Sequence, residues 1–321
     1  MIAKLAIVVL ALFSSAPPSA ADAQSFPSRP IRVVIPWPAG GITDVITRAV
    51  GQHIAETTAQ AVVVDNRSGA GGTLGAAIVA KGAADGHTLL FHDVASHCIS
   101  ASLYSKLPYD ALQDFAPIAM VAGSPMVLIA NPALKVRTLP QLVELAKSKP
   151  GQLIYASSGV GAITHLAPVR LLRMTGMQMQ HVPFKGSIAS AASVISGETA
   201  ISFSTIPASL GHAKTGRLVL LAVSFPKRSA QIPDVPTIAE TVGEYDLGLY
   251  TGAWAPRGTP RAVISRVSAE ILRALEQSKV KEVLTAVSAV PGSMSPQEYG
   301  AYLAKEVKVW GEIVKAENLT M

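Results

Sequence analysis

The first clear pattern in the chain is a short β-branched run, then a Gly-rich turn, then a stretch with helical spacing of apolar residues. Ile31–Ile35 (I-R-V-V-I) predicts a strand covered on both faces. Residues 39–41 (A-G-G) let the backbone approach a ligand closely, and Thr43 and Asp44 begin the helix. The unit is therefore a strand, a tight turn and a helix N-terminus.

The same order of strand, turn and helix recurs along the chain. Further strands are predicted at residues 61–65, 87–92, 153–157, 181–186, 197–204 and 249–256. Helical patterns end near residue 81 and cover residues 138–147, 166–174, 262–276 and 295–315. Alternating strands and helices predict an α/β fold with a mostly parallel sheet and right-handed crossovers.

One apolar run marks a passage between domains. Residues 116–122 and 126–130 predict a pair of strands interrupted by the Gly-Ser-Pro sequence at 123–125. The run at 218–224 would bring the chain back. We therefore expect a discontinuous first domain at 26–124 and 226–321, with residues 125–225 as the second domain.

The N-terminus has the order of a secretory signal: a basic start, an apolar core and a small-residue end. The core over residues 5–13 is too short to span a bilayer, and A-D-A at 21–23 is a cleavage pattern. Residues 1–23 are predicted to be removed after Sec export. We expect the protein to be located in the periplasm. No lipid anchor is expected, since the residue directly after the cleavage site is not a Cys.

Composition narrows the classes of function. Hydrophobic residues make up 49% of the chain, which is enough for a core, and charged residues 15%. The net charge of +6 comes from scattered basic residues with few aromatics, so a nucleic-acid surface is not expected. The single Cys98 excludes an internal disulfide and is predicted to be buried. His92 and His97 lack a third ligand at fixed spacing, so neither metal nor cofactor is predicted.

Candidate binding residues lie at the carboxyl ends of the predicted strands, where ligands of open α/β sheets bind. The turn before Thr43 leads into a helix N-terminus, whose free N–H groups stabilise a carboxylate or phosphate. Ala95 and Ser96 follow the third strand in a predicted loop, residues 93–97. Ser158 is either a ligand donor or a helix cap, and Lys185 is either a cleft cation or a solvated side chain.

Taken in order, these stretches resemble the Bug family of extracytoplasmic solute receptors, the substrate-binding proteins of tripartite tricarboxylate transporters. The resemblance rests on P-x-G-G-x-T-D at residues 38–44 and V-x-N-R-x-G-A-G-G at 64–72. It continues through D-G-x-T-L-L, L-P-Y-D, D-F-A-P-I, A-S-x-G-x-G-x-x-x-H-L, H-V-P-F-K-G and A-P-x-G-T-P. Such a series, in register from residue 26 to the C-terminus, is far more specific than one Gly-rich turn.

The resemblance implies a type II periplasmic-binding-protein fold, with two α/β domains and a ligand cleft between them. It implies a non-enzymatic receptor for a small carboxylate, either a di- or tricarboxylate or an aromatic acid. Such a receptor is expected to be a monomer that closes by hinge motion and delivers its ligand to membrane permease subunits or to a sensor. The implied binding residues are Ala39, Gly40, Gly41, Ile42, Thr43, Asp44, Ser157, Ser158, Gly159, Thr164, His165, Lys185, Gly186, Ser204, Thr205 and Ile206. Ala95 and Ser96 join them from their place at the carboxyl end of the third strand.

Two points modify what the resemblance implies. Many family members have an acidic residue where Ser204 stands, a partner for a substrate ammonium, so a non-amino carboxylate is expected here. Asp44 is better interpreted as a first-turn acid that interacts with the helix dipole and with Arg48 than as a ligand contact, because its charge repels a carboxylate. The alternative from another class is a secreted α/β hydrolase, which the absence of a complete triad disfavours.

Overall fold

A computed structural model describes residues 26–316 and 318–320, so the predicted signal segment 1–23 lies outside the described residues. The strands are β1 Ile31–Ile35, β2 Val62–Asn66, β3 Thr88–Asp93, β4 Phe115–Ala130, β5 Leu153–Ser157, β6 Met179–Pro183, β7 Ile201–Thr205, β8 Val219–Val223, β9 Gly248–Pro256 and β10 Val290–Pro291. The helices are α1 Ile42–Thr58, α2 Thr73–Ala80, α3 Val94–Leu103, α4 Leu139–Ser148, α5 Ile163–Thr175, α6 Ser187–Ser196, α7 Ile206–Lys214, α8 Ala239–Val242, α9 Arg261–Glu276, α10 Ser278–Ala286 and α11 Pro296–Ala316.

The sheet has two parallel groups joined by antiparallel strands. Its order is β2-β1-β3-β9-β4-β7-β5-β6, with β10 and β8 also paired to β4. Strand β1 is parallel to β2 and β3, and β5 is parallel to β6 and β7, but β4 and β9 run antiparallel to their neighbours. We call β1, β2, β3, β9 and β10 with their helices the first lobe, and β5 to β8 with theirs the second lobe. The prediction of an α/β fold is confirmed, while the middle of the sheet is less parallel than expected.

Strand β4 corrects one expectation. The predicted interruption at residues 123–125 is not a turn, because Phe115–Ala130 is one continuous strand of 16 residues. Its partner changes there instead: Pro125 is the last residue opposite β9, and Met126 is the first opposite β7. A proline has no N–H to donate, so a change of partner is a position that tolerates it. The boundaries of the two domains stay a prediction, which this change of partner supports.

The segment after β3 corrects a second expectation. Residues 93–97 are not a loop, because helix α3 begins directly at Val94. The carboxylate of Asp93 caps this helix by accepting the backbone N–H of Ser96 at 2.7 Å. Helix α5 also begins three residues earlier than predicted, at Ile163, and the sequence analysis did not predict α10. Asp93, an acidic residue at the N-cap position, was the sequence signal for α3, and it was not used in the prediction.

The core is made of aromatic and aliphatic side chains between the sheet and its helices. Trp254 and Trp310 are buried in this core. Cys98 is buried as well, and burial together with nearby Glu306 raises the pKa of its thiol well above the usual value. The thiol is therefore an inert part of the core rather than a reactive group.

Close packing at Gly252 gives a stability prediction. Replacing Gly252 by Ala in β9 would place a methyl group on the hydroxyl of the fully buried Tyr299. Overpacking of this kind costs about 1–3 kcal/mol, so Gly252→Ala should lower the free energy of unfolding in urea by that amount. Gly211→Ala is the matched control, since a Cβ there meets nothing within 4 Å. Equal stability of the two variants would contradict the packing described.

Candidate functional site

A cavity lies between the two lobes, at the carboxyl ends of the parallel strands. Its water-accessible space is about 70 Å³, and it opens into an outer space of about 470 Å³ that shares part of its wall. The predicted binding residues that line the inner cavity are Gly41, Ile42, Thr43, Ser96, Ser158, Thr164, Lys185, Gly186 and Thr205. Both lobes contribute to this set, so the turns predicted at separate strand ends do meet.

The other predicted residues do not line the inner cavity. Gly159 lines the outer space, and the remaining ones lie in the adjoining turns, strands and helices: Ala39, Gly40, Asp44, Ala95, Ser157, His165, Ser204 and Ile206. Sequence reasoning missed eight lining residues: Trp37, Pro38, Asp93, Ala162, Ile163, Ser187, Ile188 and Leu249. Most of these are direct neighbours of predicted residues. Asp93 carried a signal of its own, the N-cap position.

Helix N-termini form much of the cavity wall. The N-cap residues of α1, α5, α6 and α7 are Gly41, Ala162, Gly186 and Thr205, all of which line the cavity. None of the four uses a side chain of its own to cap its helix within the described part of the chain. Each helix therefore directs the positive end of its dipole toward the same space, although Pro207 in the first turn of α7 has no N–H to offer. This arrangement favours an anion.

Asp44 holds the turn before α1 in place. Its carboxylate accepts the backbone N–H of Gly40 at 2.9 Å and the side-chain amide of Asn66 at 3.0 Å, and it pairs with Arg48 at 2.9 Å. Burial opposes the charge, but these hydrogen bonds outweigh it and hold the pKa of Asp44 below its usual range. The predicted pairing with Arg48 is confirmed. The acid orients the loop and turns away from the cavity.

Ser96 connects the lobes at the cavity. Its hydroxyl donates to Asp93 Oδ1 at 2.5 Å and accepts the backbone N–H of Ile163, at the start of α5, at 3.2 Å. A residue of the first lobe thus caps a helix of the second. Beside the outer space, the Tyr104 hydroxyl donates to the Ala70 carbonyl oxygen at 2.9 Å. The same hydroxyl lies 3.4 Å from the Val160 carbonyl oxygen. The Ser96–Ile163 and Tyr104–Val160 contacts therefore join the two lobes.

Two stacked histidines support the wall from behind. The rings of His165 and His181 lie 4.0 Å apart between centroids, and the Ser157 hydroxyl is 2.7 Å from His181 Nε2. The backbone N–H of Gly161 donates to His165 Nδ1 at 3.3 Å. Burial lowers the pKa of His165 to about 3 and that of His181 to about 4. Both rings are neutral near pH 7. Their hydrogen bonds to Ser157 and Gly161 hold the turn over residues 157–161 in place.

Few charged groups line the cavity. Among its described lining residues, Lys185 is the one with a basic side chain, and that side chain is exposed at the mouth. Within residues 26–316 and 318–320, no group of three or more His, Cys, Asp or Glu is arranged to hold a metal ion. No described helix has both the length and the apolar character needed to cross a membrane.

The fold and the cavity between the lobes define a type II periplasmic binding protein with two α/β domains. A family model described as "Tripartite tricarboxylate transporter family receptor" matches residues 46–319. BugT of Bordetella pertussis is 33% identical over 97% of this chain and 96% of its own length. The chain belongs to the tripartite tricarboxylate transporter receptor family, which confirms the resemblance seen in the sequence.

Solved structures of similar proteins give the same result. Rpa4515 of R. palustris, solved with adipate, is 30% identical, with a TM-score of 0.87 over 92% of this chain and 100% of that one. MatC of Rhodopseudomonas palustris, solved with malate, is 30% identical, with a TM-score of 0.84 over 90% of this chain and 100% of that one. The two-lobed architecture is therefore the one that this family uses.

The histidine pair predicts a pH dependence of stability. Because both folded-state pKa values lie below the usual 6.5, the unfolded chain binds more protons between pH 6.5 and about 4. The stability present above pH 6.5 should therefore be lost as the pH falls through this window. His181→Gln should lose less free energy of unfolding between pH 7 and pH 4.5, measured in urea. His53→Gln, a partly buried histidine of α1 away from the pair, serves as control; an equal loss in all three proteins would contradict the assignment.

Proposed function

We propose that the protein is a receptor that captures a small carboxylate between its lobes. The observation that carries this proposal is the meeting of four helix N-termini, without caps of their own, at one cavity. Backbone N–H groups and helix dipoles stabilise an anion in a space from which water is largely excluded. A neutral ligand would leave those donors without acceptors, at a cost of about 1–3 kcal/mol for each buried group.

The arrangement of the N-termini suggests where the ligand's ends lie. Helix α1, with Gly41 to Thr43, belongs to the first lobe, whereas α5, α6 and α7 belong to the second. We infer that one carboxylate binds at α1 and that the other end of the ligand faces the second lobe. The two relatives solved with adipate and with malate support a dicarboxylate. An aromatic acid reaching toward Trp37 in the outer space fits the same scheme.

The proposed role follows from the position of the cavity between the two lobes. The receptor would close by hinge motion around the carboxylate in the periplasm, as a monomer, and present it to permease subunits of a tripartite transporter or to a sensor. The predicted signal peptide and the family support this role. A hydrolase finds no support in the site, because Ser157, the serine beside His181, is completely buried.

The proposal predicts selective stabilisation by carboxylates. The protein without residues 1–23 is refolded to remove bound ligand, then melted with mono-, di- and tricarboxylates, aromatic acids and their amides. A ligand at one hundred times its Kd adds about 2.7 kcal/mol, so one carboxylate class should raise the Tm clearly and its amides should not. Gly41→Val should abolish the shift while the unliganded Tm stays near the wild-type value, since the φ of −71° at Gly41 permits a side chain.

A matched control separates the cavity from general effects of the substitution. Gly211→Val introduces the same side chain into α7 where a Cβ meets nothing within 4 Å, and should leave the ligand-induced shift unchanged. No shift with any carboxylate, or an unchanged shift in Gly41→Val, would contradict the proposed function.

A further inference from the structure

Asp93 is a buried carboxyl group in the wall of a cavity otherwise suited to anions. It ends β3, caps α3 and is 2% exposed. Its Oδ1 accepts two hydrogen bonds from Ser96, from the backbone N–H at 2.7 Å and from the hydroxyl at 2.5 Å. Its Oδ2 is buried and accepts no hydrogen bond from any residue that the structure describes. One oxygen therefore completes the helix cap, and the other is left for a further donor.

No cation compensates this carboxyl group. The ionisable groups that interact with it are Glu306, Cys98, Tyr299 and Tyr302, which are neutral or negative. Lys185 lines the same cavity, but within the described residues Asp93 Oδ1 is bonded to Ser96 and Oδ2 has no partner. The histidines of the same segment do not supply a charge either, since burial lowers the pKa of both His92 and His97.

The protonation state follows from the same surroundings. Burial raises the pKa of Asp93 to about 6, against the opposing effect of the Ser96 hydrogen bonds. The group is therefore mostly ionised at pH 7 to 8 and acts as an acceptor. A buried acceptor without a donor is unfavourable, and a ligand that supplies an O–H or N–H removes this penalty.

We propose that Asp93 Oδ2 accepts a hydrogen bond from the ligand, so that the receptor selects carboxylates that carry a hydroxyl or ammonium group. The inference rests on the proposed function, because the helix N-termini bind the carboxylate while Asp93 reads the donor beside it. It also changes the expectation drawn from Ser204. The acid that could pair with an ammonium is absent at position 204 but present at 93, in a different part of the wall.

Matched acids test the proposal by calorimetry at pH 8, where Asp93 is ionised. The sets are succinate, malate and aspartate; glutarate, 2-hydroxyglutarate and glutamate; and phenylacetate, mandelate and phenylglycine. In the set that binds, the hydroxy or amino acid should bind about 10- to 100-fold more tightly than the unsubstituted acid. The hydroxy and amino members then distinguish the two sources of the donor.

Asp93→Asn converts the free acceptor into a donor and keeps the helix cap, because the amide oxygen can still accept from Ser96. The preference should fall to about onefold or invert in favour of the unsubstituted acid. Glu306→Gln is the control: it removes the neighbouring charge without altering the cavity, and should keep the preference. Thermal melts of both variants establish that they fold.

Three results would overturn the proposal. Equal affinity for the three members of a binding set in the wild type overturns it, whether or not the variant folds. A preference that survives Asp93→Asn does the same. So does binding of the unsubstituted acid that tightens to equal the hydroxy acid as the pH falls through 6, because Asp93 would then act as a protonated donor. Binding of no carboxylate at all would instead contradict the proposed function.

Discussion

The architecture depends on unsatisfied backbone N–H groups at helix N-termini. Parallel strands in each lobe end at the same edge, so the helices that follow them begin there together. Glycine at the N-caps of α1 and α6, positions 41 and 186, leaves those first turns without a capping side chain, whereas the Ile163 N–H of α5 donates to the Ser96 hydroxyl. Charge is thus provided by the backbone. The proposed binding of an anion therefore needs no more than the one exposed lysine at the site.

Binding and closure use the same groups. The N-termini of α5, α6 and α7 line the same cavity as that of α1, and the Ser96 hydroxyl caps α5 across the gap between the lobes. A carboxylate between the lobes would stabilise this state, because it supplies acceptors that neither lobe has alone. Asp93 also faces the ligand in this proposal, but as a hydrogen-bond acceptor instead of a donor. It orients the Ser96 hydroxyl through one oxygen and leaves the other for a ligand donor.

What the sequence predicts well is local. The strand, turn and helix around Gly41 were predicted because glycine and capping signals act over a few residues. The continuity of β4 was not predicted, because Gly-Ser-Pro at 123–125 is typical of a turn. In the fold, pairing with β9 and β7 keeps this segment extended. Cavity membership also escaped prediction at single positions. Thr205 lines the cavity and Ser204 does not, because successive side chains of a strand point to opposite faces, which no local pattern fixes.

The most direct test of this account is a crystal structure of the chain without residues 1–23, bound to a dicarboxylate that stabilises it. We expect carboxylate oxygens about 2.7–3.2 Å from backbone nitrogens in the first turn of α1, at Ile42 and Thr43, and the other end of the ligand near the N-termini of α5 to α7. A ligand held chiefly by Lys185, with the first turns of the four helices left to water, would contradict it.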